Sequence, residues 1–319
     1  TEIYTRLVSA ASDVYKRQVC SGLLKKHHEV IAVDHASSAY NEGKEHYRFY
    51  AAAPHDKTAY MGIFEKERID AVVHLACSVD NDLGPIITEK QMEESRVCDK
   101  FLFKLAISKE VEKIMVLSTT QVYAVPEGRE PVREGDDEKP VTNYAKMKSE
   151  TERAFAADLR HVKNVIGCIM RVPPVYTLEM HDNLLAKITD PKDHTNFVYR
   201  TGEYGFHFCC VHNLADFILC YLRQADSPSC TGVYNVADKN LIMASEIVNF
   251  ISKNGRLGPV LQRNPGKDIF SSIFKFKNSK EEKTNYRYLD FSTITKNTMY
   301  DTNKASRYCP FRWDLSNTK

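Results

Sequence analysis

The sequence predicts an α/β fold: a doubly wound parallel sheet with helices on both faces, followed by a smaller C-terminal domain. Three observations predict it. Apolar runs of strand length recur without polar alternation, as in strands buried on both faces. Segments with helical spacing separate them. The rhythm then breaks after Arg171. The first run is EVIAVDH (29–35), ending in Asp34. Residues 57–68, KTAYMGIFEKER, have helical spacing, and IDAVVHLAC (69–77) is a second buried run. Residues 92–109 read as a long helix and VEKIMVLSTT (111–120) as a strand, followed by the solvated loop EGREPVREGDDEKPVT. TNYAKMKSETERAFAAD (142–158) is helical with Thr142 at the cap position, and VIGCIMRV (165–172) is a strand. Beyond it, VPPVYTLEMHDN departs into loops. FHFCCVH (206–212) and GVYNVAD (232–238) restore strand signals, and LADFILCYLRQ (214–224) and SEIVNFISKNG (245–255) restore helical ones. Residues 256–319 are irregular, basic and aromatic, and carry no interpretable motif.

Composition bounds the function. The chain has 319 residues, 43% hydrophobic and 27% charged, which is ordinary for a globular protein. Its 44 basic and 42 acidic residues leave a net charge of +2. That balance gives no electrostatic reason to expect nucleic acid or a membrane surface as partner. No apolar run is long enough to span a bilayer, and the stretch near position 215 is interrupted by His212, Asn213 and Asp216. Nine cysteines are scattered without a CxxC or a metal-ligand spacing. They read as buried thiols in a reducing cytoplasm, with no metal site. Cys209 and Cys210 read as alternating between two faces of a strand.

The strongest chemical signal is YAKMK, which places Tyr144 and Lys148 four apart on one helix face. A nearby ammonium stabilises a phenolate, so Tyr144 could exchange a proton at neutral pH although free tyrosine titrates near ~10. Alone, this spacing is a common accident. Its context is more specific, because a buried strand ends upstream in STTQVY, from Ser118 to Tyr123. Active residues of open α/β sheets gather at the carboxyl ends of strands. A hydroxyl there can hold a substrate oxygen while Tyr144 moves its proton.

From about Val19 to Asp238 the chain resembles the extended short-chain dehydrogenase/reductases, in the NAD-dependent epimerase/dehydratase group. The resemblance rests on EVIAVDH, DAVVHLA, LSTTQVYA, NYAKMKSETE, IMRVPPVY, VHNLADFI and GVYNVAD, in that order and at family-like spacing. It implies a Rossmann-like NAD-binding domain over residues 19–171. It also implies a mainly substrate-binding domain over 172–319, with 206–238 partly returning to the first. Thr119 matches the catalytic Ser/Thr, Tyr144 the proton-transferring tyrosine, and Lys148 the lysine that acidifies it and contacts the nicotinamide ribose. Asp34 matches the carboxylate on the adenosine ribose, which favours NAD over NADP. Ala76, Cys77 and Ser78 match the loop along the dinucleotide. His74 before them reads as a core histidine with its hydrogen bonds satisfied. Pro173 and Val175 match the loop near the nicotinamide.

The implied function is a sugar-nucleotide epimerase, working by hydride abstraction and return through a keto intermediate. The alternatives are a net carbonyl reductase or hydroxysteroid-type dehydrogenase of the same fold, and a non-catalytic dinucleotide sensor. Related enzymes pair through the helices matching 92–109 and 142–158, so a homodimer is implied. There are departures from the family pattern. Thr120 and Gln121 stand where dehydratases carry an Asp-Glu pair, which disfavours sugar 4,6-dehydration. Phe206 stands where many members carry a phosphate-gripping arginine, leaving Arg200 and Arg263 as candidate substitutes. Ser95 replaces a common asparagine.

The opening is anomalous. The family places TGxxGxxG before the first helix, yet this chain has no glycine before Gly22. DVYKRQ (13–18) is what GATGTGTATAAGAGACAG encodes, which resembles the transposon end used in sequencing libraries. SAAS (9–12) and TEIYT (1–5) resemble the adapter pieces upstream of it. Residues 1–18 are therefore expected to be non-native, with the first strand and glycine-rich loop missing and NAD binding impaired.

Overall fold

A computed structural model describes residues 5–10, 13–35, 43–75, 87–124, 130–190, 193–255, 257–264 and 296–318. The first half runs β1 (Thr5–Ala10), α1 (Asp13–Lys25), β2 (Glu29–Asp34), β3 (Tyr47–Ala51), α2 (Lys57–Lys66), β4 (Ala71–Leu75), α3 (Glu89–Ser108), β5 (Lys113–Thr119), α4 (Asn143–Leu159) and β6 (Ile166–Val172). The second half runs β7 (Val175–Tyr176), α5 (Asp182–Leu185), β8 (Asn196–Tyr199), β9 (Gly205–Phe206), β10 (Cys209–Cys210) and α6 (Val211–Gln224). Then come β11 (Gly232–Asn235), β12 (Ile242–Met243), α7 (Ala244–Asn254), β13 (Val260–Arg263) and the single helical turn α8 (Asn303–Ser306).

Seven strands form one parallel sheet in the order β11-β6-β5-β4-β1-β2-β3. The continuous apolar runs follow from burial on both faces. Along β2, Val30 and Ala32 join one core, and Ile31 and Val33 the other, as the two-residue period requires. The first core packs Val19, Cys20 and Leu23 of α1 and Phe217, Ile218 and Tyr221 of α6 against the sheet. The second packs Ile63 and Phe64 of α2, Phe103 of α3 and Phe155 of α4. Gly22 is where α1 closes on α6, since a Cβ there would lie 2.9 Å from a Leu219 methyl. Among the described residues no helix is long and apolar enough to cross a membrane.

The expectation that the first strand is missing is corrected. Residues 5–10 form β1, inserted between β2 and β4 and paired in parallel with both. The physical reason is the slot itself. Two inner strands would otherwise leave rows of unpaired N–H and C=O groups, and TRLVSA contains neither proline nor glycine to prevent pairing. Residues 11–12, which follow and hold no glycine, lie outside the described residues. FHFCCVH also differs from expectation. It divides into the two-residue strands β9 and β10, and α6 begins at Val211. Cys209 and Cys210 are both fully buried.

A third core holds the smaller C-terminal region together. Tyr176, Phe197, Tyr199, Tyr204 and Phe208 pack with Ile247, Phe250 and Ile251 of α7. Parallel β8 and β13, and antiparallel β9 and β12, frame this region.

Candidate functional site

The site is built at the carboxyl end of β5. Thr119 is its last residue and is buried. Its Oγ1 accepts from the Gln121 N–H at 3.2 Å, which starts a 3-10 turn over Thr120–Val122. Thr142 caps α4 through its side chain, accepting from the Ala145 N–H at 3.0 Å. That start sets the helix phase. Tyr144 lies half-buried in the first turn, and Lys148 is buried one turn later. The Lys148 Nζ lies 6.0 Å from the Tyr144 ring centroid and donates to the Leu117 carbonyl at 3.1 Å. Thr142 and Gln121 side chains also meet, at 3.5 Å. The structure therefore brings Thr119, Tyr144 and Lys148 to one strand end.

Asp34 closes β2 on the other side of β1 and is buried; its Oδ1 accepts from the His35 N–H at 2.6 Å. The His35 ring Nδ1 lies 2.7 Å from the same oxygen. Pro173 and Val175 are buried just after β6, where Val175 pairs with Cys209. Ala76, Cys77 and Ser78 lie outside the described residues. The polar groups at the two strand ends fit a dinucleotide: a buried carboxylate would accept from one ribose, and a phenol and an ammonium would serve the other. The sequence between β1 and α1 has no glycine to let the backbone approach a pyrophosphate.

Behind this set lies a buried polar network that sequence reasoning did not find. Arg171 of β6 grips both oxygens of Glu152 on α4 at 3.1 Å from Nε and also donates to Glu138. Ser118 donates to Glu152 as well. Burial would pull the Arg171 guanidinium toward neutrality, but the bonds to and charge of Glu152 outweigh it and push its pKa up. Arg171 stacks 4.6 Å from the Tyr123 ring, and burial pushes the Tyr123 phenol up to about 12. Tyr123 donates to Asn235 at 2.6 Å. Glu152 was findable, being one turn beyond Lys148 on the same helix face.

The uninterpreted C-terminal residues also reach this place. The Val132 N–H donates to the Met299 carbonyl and the Asp301 N–H to the Val132 carbonyl, clasping 299–301 to the loop after β5. Tyr300 then stacks between Tyr123 and His207, with centroid separations of 5.9 Å and 5.7 Å. No local signal marks it.

Other expectations resolve differently. His74 is only half satisfied: Nε2 meets Asp99 at 2.9 Å, but Nδ1 is buried with no partner among the described residues. Arg263 is already engaged, donating to Asp190 at 2.8 Å and Thr195 at 3.2 Å with its guanidinium 3.9 Å from the Phe197 ring centroid. Arg200 is exposed, with a left-handed φ of 53°. Phe206 sits in β9 with the Lys187 Nζ 5.8 Å from its ring centroid.

The architecture is similar to that of solved sugar-nucleotide enzymes. The UDP-Glc/GlcNAc 4-epimerase of Campylobacter jejuni matches with a TM-score of 0.72 at 18% identity, covering 98% of this chain and 95% of that one. The UDP-glucose 4-epimerase of Bifidobacterium longum, in complex with NAD+ and UDP, matches with a TM-score of 0.72 at 16% identity over the same shares. The UDP-glucuronic acid 4-epimerase of Bacillus cereus, in complex with NAD, gives 0.68 at 17%, again over 98% and 95%. At these identities the likeness shows the fold. No curated protein is similar enough in sequence to count as a relative. The NAD dependent epimerase/dehydratase family matches residues 17–237, more than half of the chain; together with the parallel sheet, this places the protein in that family, with NAD as its cofactor.

Proposed function

We propose that the protein is an NAD-dependent sugar-nucleotide epimerase. The observation that carries this reading is the placing of Tyr144 and Lys148 together on α4, with the Lys148 Nζ on the Leu117 carbonyl two residues before β5 ends at Thr119. The UDP-sugar 4-epimerases with similar architecture support the substrate class. NAD, when bound, supplies a hydride acceptor that returns the hydride within the same cycle. Tyr144 takes the proton of the substrate hydroxyl and gives it back. Lys148 favours the phenolate that this requires. Thr119 holds the reacting oxygen. Asp34 receives the adenosine ribose and Lys148 the nicotinamide ribose, with Ala76, Cys77, Ser78, Pro173 and Val175 lining the cofactor. Thr120 and Gln121 provide no carboxyl group for dehydration.

The same reading takes residues 1–18 as adapter-derived, which the start of the family match at residue 17 supports. It takes the protein as cytoplasmic, and as a homodimer through α3 and α4; Val97, exposed on α3, is consistent with that contact. A second reading, a net oxidoreductase, is favoured by one observation. Phe206 provides no phosphate clamp, and Arg263 is held by Asp190 and Thr195.

One experiment decides between the two. The protein is incubated with saturating NAD and a panel of UDP-sugars, and both the epimer and NADH are followed. Epimer formation without net NADH is the expected result. Steady NADH accumulation without an epimer would select the oxidoreductase.

A further inference from the structure

Lys148 is 4% exposed, and its Nζ donates to a neutral carbonyl, that of Leu117. A buried ammonium needs a counter-charge to keep its proton. Glu152, one turn along α4, is committed elsewhere: Arg171 takes both its oxygens and Ser118 adds a third donor. Glu138 pairs with Arg171 and with Arg153, at 3.6 Å. Of the other buried carboxylates among the described residues, Asp34 ends β2 and Asp238 follows β11. The remaining one is Asp99 on α3, 7% exposed.

Asp99 is clamped in place. Its Oδ1 meets His74 Nε2 at 2.9 Å, and its Oδ2 accepts from Thr151 Oγ1 at 2.5 Å. Thr151 lies three residues after Lys148, so both project from the same face of α4. His74 is paired in register with Val116, the neighbour of Leu117. Both charges therefore sit at one junction of α3, α4, β4 and β5. Burial alone would raise the Asp99 carboxyl, but the hydrogen bond and charge of His74, then the Lys148 ammonium and the Thr151 hydroxyl, outweigh it and hold it below the usual range.

We infer that Asp99 is a positioning residue for Lys148: its clamped carboxylate is the counter-charge that keeps the ammonium protonated and seated against the Leu117 carbonyl. The catalytic consequence rests on the proposed role of Lys148, whereas the charge pairing can be tested apart from it. The titratable and charged groups around the ammonium are Tyr144 and Glu152 on its own helix, His74 on β4, Asp99 on α3 and Arg171 on β6.

The test uses the whole chain with isotopically labelled lysine, and the Lys148 resonance is assigned with Lys148→Arg. Asp99→Asn and Asp99→Thr remove the charge with different shapes, and Asp99→Glu restores it. The expected result is that Lys148 titrates about one pH unit lower in the neutral variants and recovers in Asp99→Glu. With saturating NAD, the alkaline limb of activity moves the same way while the sugar KM stays in place. An unmoved Lys148 resonance in a folded neutral variant overturns the inference. If both neutral variants unfold, the reciprocal measurement decides: Lys148→Met must make Asp99 titrate at higher pH, and an unchanged Asp99 overturns it equally. Full turnover in Lys148→Met would defeat the catalytic reading alone and leave the charge pairing standing on its own result.

Discussion

A phenol that titrates near ~10 serves as a base at neutral pH only beside a group that stabilises its anion. In the proposed mechanism that group is Lys148, whose Nζ stands 6.0 Å from the Tyr144 ring centroid. Tyr144→Phe keeps the ring, its half-burial and the ammonium, and removes only the hydroxyl. Turnover should fall roughly 10²–10⁴-fold, the usual weight of positioned proton transfer, with the melting temperature nearly unchanged. Steady-state kinetics on the epimer assay checks this, and a variant retaining more than half its turnover would remove Tyr144 from the site. The pair was readable in sequence because both residues lie on one helix at a fixed spacing, and Thr119 because it ends an apolar run. Asp99, His74 and Arg171 were not readable as partners. Each comes from a different element, and their contact depends on sheet order and helix rotation, which no local pattern encodes.

Elements were legible where their period was long. The helices α2, α3, α4, α6 and α7 follow their apolar spacing, and β2, β4, β5 and β6 follow continuous apolar runs. The edge strand β3, YRFYA, is only half-buried and shows neither pattern. Strands β7, β9, β10 and β12 have two residues each, too few for any period to show. At β1 the sequence expectation failed because backbone pairing, rather than side-chain pattern, fills a central slot. The turn after it is a different matter. Strand pairing does not ask for glycine there, whereas close approach of a pyrophosphate does. Replacing residues 9–16 by a TGxxGxxG turn should therefore tighten NAD binding by about tenfold or more. Titration calorimetry on the two chains measures it, and equal affinities would refute the assignment of this turn as the defect.

At the scale of the whole molecule, the sheet, α6 and the C-terminal residues are joined at Asp238. Its Oδ1 accepts from the Cys210 N–H and Asn213 Nδ2, both at 2.7 Å, and its Oδ2 from Tyr176 at 2.8 Å. The Asp238 carbonyl accepts from His207 Nε2 at 2.7 Å, while His207 Nδ1 accepts from the Tyr300 N–H at 2.9 Å. Asn213 in turn receives the Arg312 and Trp313 N–H groups, tying down the chain end. Burial acts on both titrating members, in opposite senses. It pushes the Asp238 carboxyl up to about 6, against the pull of its three donors. It also pushes the His207 imidazole down to about 4, despite the bond to Asp238. A raised carboxyl contributes stability that is full below its ordinary value near ~3.9 and is lost as pH rises through about 6. A depressed imidazole contributes stability that is full above its ordinary value near ~6.5 and is lost as pH falls toward about 4. Over nearly the same window the two slopes oppose each other, so the joint as a whole should be almost indifferent to pH. Single substitutions should uncover each half. Asp238→Asn keeps an acceptor for Cys210 and Asn213 but no longer titrates, so its melting temperature should climb more steeply than the parent's between pH 4.5 and 6.5. His207→Gln keeps a donor for the Asp238 carbonyl, and its melting temperature relative to the parent should fall as pH rises across the same window. Calorimetric scans of the three proteins at matched ionic strength give the comparison. Parallel curves for all three would mean that neither group titrates against burial in the folded protein.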